Sequence, residues 1–222
     1  MIYLLFAILG FAVTVHFIYY NIKNKYSYNK SIIICFALCF GAYIGAKMLG
    51  IFVMLYRNQM CTIGELLLYG DMVYYGGLYG ALISGRLLVK QKFISLEMYK
   101  TYLICSIPLF HAISRCGCFF SGCCYGKIFG NIQIPVQLLE SMCELIIFLI
   151  IYFMDEKNNK LAYYLVLYGI ARFFLEFLRG DIERGIIYGI SISQWLSIIN
   201  IIACLIWCRY MKISRNKKML CE

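Results

Sequence analysis

Charge is what this sequence has least of. Only 14% of its 222 residues are Asp, Glu, Lys or Arg, against 63% that are apolar. A soluble domain needs far more polar surface than that, whereas a chain embedded in a bilayer does not, because lipid covers its outside. Long polar linkers, internal repeats and low-complexity stretches are also missing. No separate soluble domain is therefore expected, and residues 1–222 read as one membrane domain. The first apolar run lacks a basic leading segment and a small-residue cleavage site, and it is too long for a signal peptide. It is expected to stay as a first span.

What is present is a succession of apolar runs: Ile2–Tyr20, Ile32–Tyr56, Ile63–Val89, Tyr102–Phe120, Val136–Met154, Leu161–Leu178 and Ile187–Tyr210. Crossing a hydrocarbon core takes roughly 20 helical residues. These lengths predict an all-α integral membrane bundle of seven transmembrane helices.

The net charge of +10 is explained by topology rather than by nucleic acid. Linker one holds Lys23, Lys25 and Lys30; Arg86, Lys90, Lys92 and Lys100 surround linker three; Lys157 and Lys160 lie in linker five. The tail adds Arg209, Lys212, Arg215, Lys217 and Lys218, so 14 of the 21 basic residues share one side. The other side has Arg57, Lys127, Arg179 and Arg184. Basic loops stay in the cytoplasm, which predicts an outside N-terminus and a cytoplasmic C-terminus.

Ionisable groups inside spans are costly, so each is a functional hypothesis by default. Lys47, Arg115 and Arg172 qualify, with Glu176 one turn after Arg172. In "YYLVLYGIARFFLEFLRG", Tyr164, Tyr168, Arg172 and Glu176 recur every four residues and form one helical stripe, which Arg179 extends. Two roles stand open: an Arg172–Glu176 pair that only neutralises itself, or a cationic lining for an anionic substrate. With Arg115 and Lys47 also aimed at the outer leaflet, the lining suits a phospholipid head group, since guanidinium pairs with phosphate oxygens. The glycines beside these charges, Gly41, Gly45, Gly76, Gly77 and Gly80, either pack helices closely or leave backbone bare for a lipid.

Twelve cysteines are present. Cys35, Cys39, Cys105, Cys143, Cys204 and Cys208 sit in apolar spans as small buried hydrophobes. Cys116, Cys118, Cys123 and Cys124 cluster in "SRCGCFFSGCCYG". Their spacing is not that of a zinc ribbon, and no second ligand pair is evident. A metal site, a disulfide, a thiolate favoured by Arg115 and plain structural cysteine all remain open.

Together these motifs resemble the prolipoprotein diacylglyceryl transferases, over nearly the whole chain and in the same order. "GAKMLGIFVMLY" is similar to the family's G-G-R-x-G-Y, with Lys47 in the arginine position. "DMVYYGGLYG" is similar to M-S-F-H-G-G-L-x-G, with Tyr75 in place of histidine. "SRCGCFFSGCCYG" resembles G-R-x-G-N-F-x-N-G-E-x-x-G: Arg115, Gly117, Phe119, Gly122 and Gly126 match, while Cys118 and Ser121 replace asparagines and Cys123 replaces glutamate. "IPVQLLE" resembles H-P-x-Q-L-Y-E, and "ISISQWLSI" resembles L-S-x-G-Q-x-L-S. The nearest likeness is "YGIARFFLEFLRGD" to Y-G-x-x-R-F-x-x-E-F-x-R. The linker after the fourth span is shorter than the family's head region.

The resemblance implies a seven-span enzyme of the bacterial plasma membrane. Its donor would be phosphatidylglycerol and its acceptor the lipobox cysteine of a prolipoprotein. No metal, organic cofactor or nucleic acid is implied. Arg115 and Arg172 would carry the phosphate charge with Lys47 or Arg179, and Glu176 would orient Arg172. His111 or Tyr75 would serve as base; a packed histidine sharing a hydrogen bond is the alternative for His111. Gly76, Gly77, Gly117, Cys118, Cys123 and Gly126 would face substrate. The rival is a non-transferase on the same fold, acting through the cysteine cluster by thiol redox chemistry or metal binding. A transporter fits less well, because the charges gather at one leaflet and no discontinuous repeat pair appears.

Overall fold

A computed structural model of the chain describes residues 2–56, 72–180 and 186–219, the last nine by their backbone alone. The helices are α1 (Ile2–Ile22), α2 (Tyr28–Tyr56), α3 (Tyr74–Lys90), α4 (Leu96–Phe120), α5 (Val136–Phe153), α6 (Lys160–Leu175) and α7 (Ile192–Met219). A single 3₁₀ turn, Glu176–Leu178, continues α6, and Tyr99–Leu103 within α4 is π-helical. Two antiparallel hairpins of two-residue strands interrupt the helices, β1 (Ile128–Phe129) with β2 (Ile132–Gln133) and β3 (Ile186–Ile187) with β4 (Ile190–Ser191).

Among the described residues, six helices are long and apolar enough to cross a membrane: α1, α2, α4, α5, α6 with its 3₁₀ turn, and α7 as far as Tyr210. Helix α3 has 17 residues, and the start of the run expected from Ile63 lies outside the described residues. Large apolar side chains such as Phe36, Phe40, Phe52 and Phe153 are exposed, as a lipid-facing surface requires. The chain is an all-α, multi-pass membrane protein.

The chain forms two compact units, Ile8–Phe110 and Met1–Ala7 with His111–Glu222. In the first, α2 and α3 meet backbone to backbone. A Cβ added to Gly45 would collide with the Gly76 carbonyl oxygen, and one on Gly80 with that of Gly41. Close packing therefore accounts for Gly41, Gly45, Gly76 and Gly80, whereas a Cβ on Gly77 would lie 3.3 Å from the Ala42 oxygen. Small residues permit such an approach, and helix association in lipid depends on it. Tyr99 adds a hydroxyl that donates to the Leu82 carbonyl at 3.1 Å.

In the second unit, polar side chains tie the helices where apolar contact alone has no hydrophobic advantage over lipid. Asn200 of α7 donates to the Leu165 carbonyl of α6 at 2.8 Å, and Ser141 of α5 donates to the Ala112 carbonyl of α4 at 2.7 Å. Helix α7 begins with a reciprocal cap: the Gln194 amide donates to Ser191 Oγ at 3.2 Å, and the Ser191 amide to Gln194 Oε1 at 3.0 Å. The segment after α4 is zipped to the end of α6, since the Lys127 amide donates to the Leu178 carbonyl at 2.8 Å and the Gly180 amide to the Tyr125 carbonyl at 3.0 Å. Gly126 is needed there, because a Cβ would strike the Ile134 oxygen.

Candidate active site

The second unit gathers the ends of α4 and α6 beside the starts of α5 and α7. The stripe expected on α6 points inward: Tyr164, Tyr168, Arg172 and Glu176 are all buried. The Tyr168 ring meets the His111 ring of α4 edge-on, 5.8 Å between centroids. One turn further along α4 stands Arg115, only 8% exposed.

Glu140 of α5 lies between the two arginines. Arg115 Nη2 is 3.1 Å from Glu140 Oε1, and Arg172 Nη1 is 3.2 Å from Glu140 Oε2. Arg172 Nη2 pairs with Glu176 at 2.9 Å and donates to Ser193 Oγ of α7 at 3.3 Å. Arg179 Nη1 is 3.8 Å from the same Glu176 oxygen. The arginines of the expected lining do not stand alone: they alternate with carboxylates. Burial is the cause, because an unpaired charge in such a site is prohibitive and a paired, hydrogen-bonded one is not. The Arg172–Glu176 pair does form within the helix, yet Arg172 also reaches across to α5.

His111 uses both ring nitrogens. Arg115 Nε donates to its Nε2 at 3.1 Å, so the ring proton sits on Nδ1, which faces Glu144 Oε1 at 2.6 Å. A guanidinium has no acceptor, and that fixes the tautomer. Arg115 thus spends Nε on His111, Nη2 on Glu140 and Nη1 on Cys118 Sγ, 3.9 Å away. Such a fork is held in one orientation.

Glu140 and Glu144 are the residues that the sequence analysis passes over as site members. Both are buried, at 3% and 1% exposure. The signal was available: two carboxylates four apart inside the apolar run Val136–Met154 meet the same criterion that picked out Arg172. Gln137, one turn before Ser141, donates to the Cys123 carbonyl at 2.7 Å and anchors the segment after α4.

The remaining expected residues divide between the units. Gly117 packs against α1, where a Cβ would lie 2.7 Å from Phe6. Cys118 is buried and Cys123 exposed. Outside the spans, burial around its sulfur and the neighbouring Cys124 push the Cys123 thiol up from its ordinary value. The pull of Arg115 does not produce a low-pKa thiol at that position. Lys47, Tyr75, Gly76 and Gly77 belong to the other compact unit, where Tyr75 is buried in α3. None of the ten described cysteines forms a disulfide, and Cys61 and Cys221 lie outside the described residues.

The sequence model of a family described as prolipoprotein diacylglyceryl transferase matches residues 1–210. Among curated proteins, the chain is 30% identical to the phosphatidylglycerol–prolipoprotein diacylglyceryl transferase of Clostridium tetani over 204 residues, 81% of each chain. It is 30% identical to transferase 2 of that name from Clostridium perfringens over 64% of each chain. The Clostridioides difficile transferase is 30% identical over 69% of this chain and 66% of its own. The buried arginines and Glu140 fall within the matched region, and on these grounds the chain belongs to the prolipoprotein diacylglyceryl transferase family.

Proposed function

We propose that this protein transfers a diacylglyceryl group from phosphatidylglycerol to the lipobox cysteine of a prolipoprotein, in the bacterial plasma membrane. The bridge Arg115–Glu140–Arg172 supports this reading most strongly. In the reaction, the acceptor thiolate attacks the glycerol carbon that bears the phosphate. A carbon–sulfur bond forms and the carbon–oxygen bond breaks. The electron pair leaves on the phosphate oxygen, glycerol phosphate departs, and the thiol proton passes to a base. Negative charge therefore grows on the phosphate as the bond breaks. Arg115 and Arg172 answer that charge, for preset donors in a dry site act most strongly where charge develops.

Glu140 keeps the two guanidiniums together before substrate arrives, and Glu176 orients Arg172. Arg179, 3.8 Å from Glu176, is the further cation for the departing phosphate. With both nitrogens engaged, His111 acts by holding Arg115. Lys47 and Tyr75, as a further cation and a base, are carried by motif position alone.

The topology belongs to the same proposal: seven spans, an outside N-terminus and a cytoplasmic C-terminus, with one membrane domain over residues 1–222. The distribution of lysine and arginine supports it. Expression in a strain depleted of its own diacylglyceryl transferase, read out by lipoprotein mass, tests the function. Growth and a mass gain of one diacylglyceryl group are expected; unmodified prolipoprotein at normal protein levels would overturn it.

A further inference from the structure

The four clustered cysteines do not act as a set of four. The Sγ atoms of Cys118, Cys123 and Cys124 all lie within 4.8 Å of one another. Cys116, on the same helix as Cys118, turns toward α5 instead, with its sulfur 3.4 Å from Ser141 Oγ. The loop folds to bring the three together. The Cys123 amide donates to the Cys118 carbonyl at 3.2 Å, and the chain reverses through Gly122 at φ +70° and Cys124 at φ 56°. Gln137 holds the Cys123 carbonyl from one side, and the zip onto α6 holds Gly126 from the other.

We propose that Cys118, Cys123 and Cys124 form a binding site for a soft, thiophilic divalent cation of the zinc type. Zinc–sulfur bonds of about 2.3 Å put tetrahedral sulfurs about 3.8 Å apart. Sulfurs within 4.8 Å reach that spacing by small rotations of their side chains. A disulfide would use two of the three and needs them about 2.0 Å apart. Thiolates select soft ions over magnesium or calcium. Binding releases the three thiol protons to solvent. Three thiolates around a divalent ion carry one net negative charge, and the Arg115 Nη1 atom 3.9 Å from Cys118 Sγ is positioned to balance it. Exposed Cys123 gives the ion a way in. Three sulfurs leave the fourth tetrahedral position for water or another ligand. The inference does not rest on the lipid-transfer proposal, although Arg115 borders both sites.

The test uses the full chain, purified in detergent, reduced and titrated with Cd²⁺ as the probe. The parent should show ultraviolet thiolate-to-cadmium absorption and retain one more ion per chain after desalting than the C118S/C123S/C124S variant. C116S should behave as the parent does. Should the triple variant fail to fold, alkylation of the parent mapped by mass spectrometry decides the matter: Cd²⁺ should shield Cys123 and Cys124 and leave Cys116 unchanged. Equal cadmium retention by parent and triple variant, loss of the signal in C116S, or alkylation unaffected by Cd²⁺ would each overturn the proposal.

Discussion

Arg115 and Glu140 stand 3.1 Å apart, joining α4 to α5 in a site almost closed to water. The same carboxylate takes Arg172 from α6, so one anion keeps two guanidiniums side by side. Without it they would repel each other at low dielectric. Burial has built a site in which two guanidiniums are held side by side by one carboxylate.

Glu140→Gln tests that bridge. The side chain keeps its size but loses its charge, leaving two buried cations short of a partner. Removing one member of a buried pair costs about 3–5 kcal/mol. The unfolding temperature in detergent should fall well below the parent's, and lipid transfer should fall with it. An unchanged unfolding temperature would show that the bridge does not hold these helices.

His111→Ala separates two roles. As a holder of Arg115 the imidazole is replaceable in part, because Glu140 still grips the guanidinium. As the general base, its loss would cost about 10²–10⁴ in rate. Transfer by the alanine variant should drop less than in Arg115→Ala, and its pH profile should keep the parent's shape. A lost limb in that profile would make His111 the base.

Six of the spans were legible as long apolar runs, and the α6 stripe and Arg115 were legible because a charged group in such a run is conspicuous by itself. Tyr164, Tyr168, Arg172 and Glu176 needed only helical spacing to share a face. Glu140 was as conspicuous as the arginines, and Glu176 was visible as a neighbour of Arg172, but that Glu140 joins Arg115 to Arg172 was not legible. Whether α5 turns Glu140 toward α4 and α6 is a matter of tertiary placement, which periodicity within one helix does not carry. The same holds for the cysteines: spacing groups four, while the loop reversal at Gly122 and Cys124 selects three. For Gly41, Gly45, Gly76 and Gly80, both readings stayed open until α2 and α3 were seen in contact.

Gly76→Val probes that seam. The added side chain meets the Gly45 carbonyl rather than a yielding side chain. Overpacking typically costs about 1–3 kcal/mol, and backbone contact puts this site at the upper end. The variant should insert in membranes but unfold at lower temperature. Parent-like stability would mean that α2 and α3 are not in close contact.

The proposed topology puts exposed Cys123 outside. A membrane-impermeant maleimide should label Cys123 or Cys124 in intact, reduced cells, and mass mapping should find the label at those positions in the parent and not in C123S/C124S. The raised thiol pKa makes labelling faster as pH rises, because only the thiolate reacts. Labelling of both positions only after the cells are opened would reverse the orientation.

The most direct measurement of the central claim compares lipid transfer by the parent, Arg115→Ala, Arg172→Ala and Arg172→Lys at matched membrane levels, with prolipoprotein mass as the readout. Both alanine variants should lose about 10²–10³ in rate, as when one donor to a developing oxyanion is removed. Arg172→Lys should remain impaired, since a point charge does not replace the paired fork. Near-parental transfer by both alanine variants would contradict the account: the buried arginines would then hold the helices together without serving the phosphate.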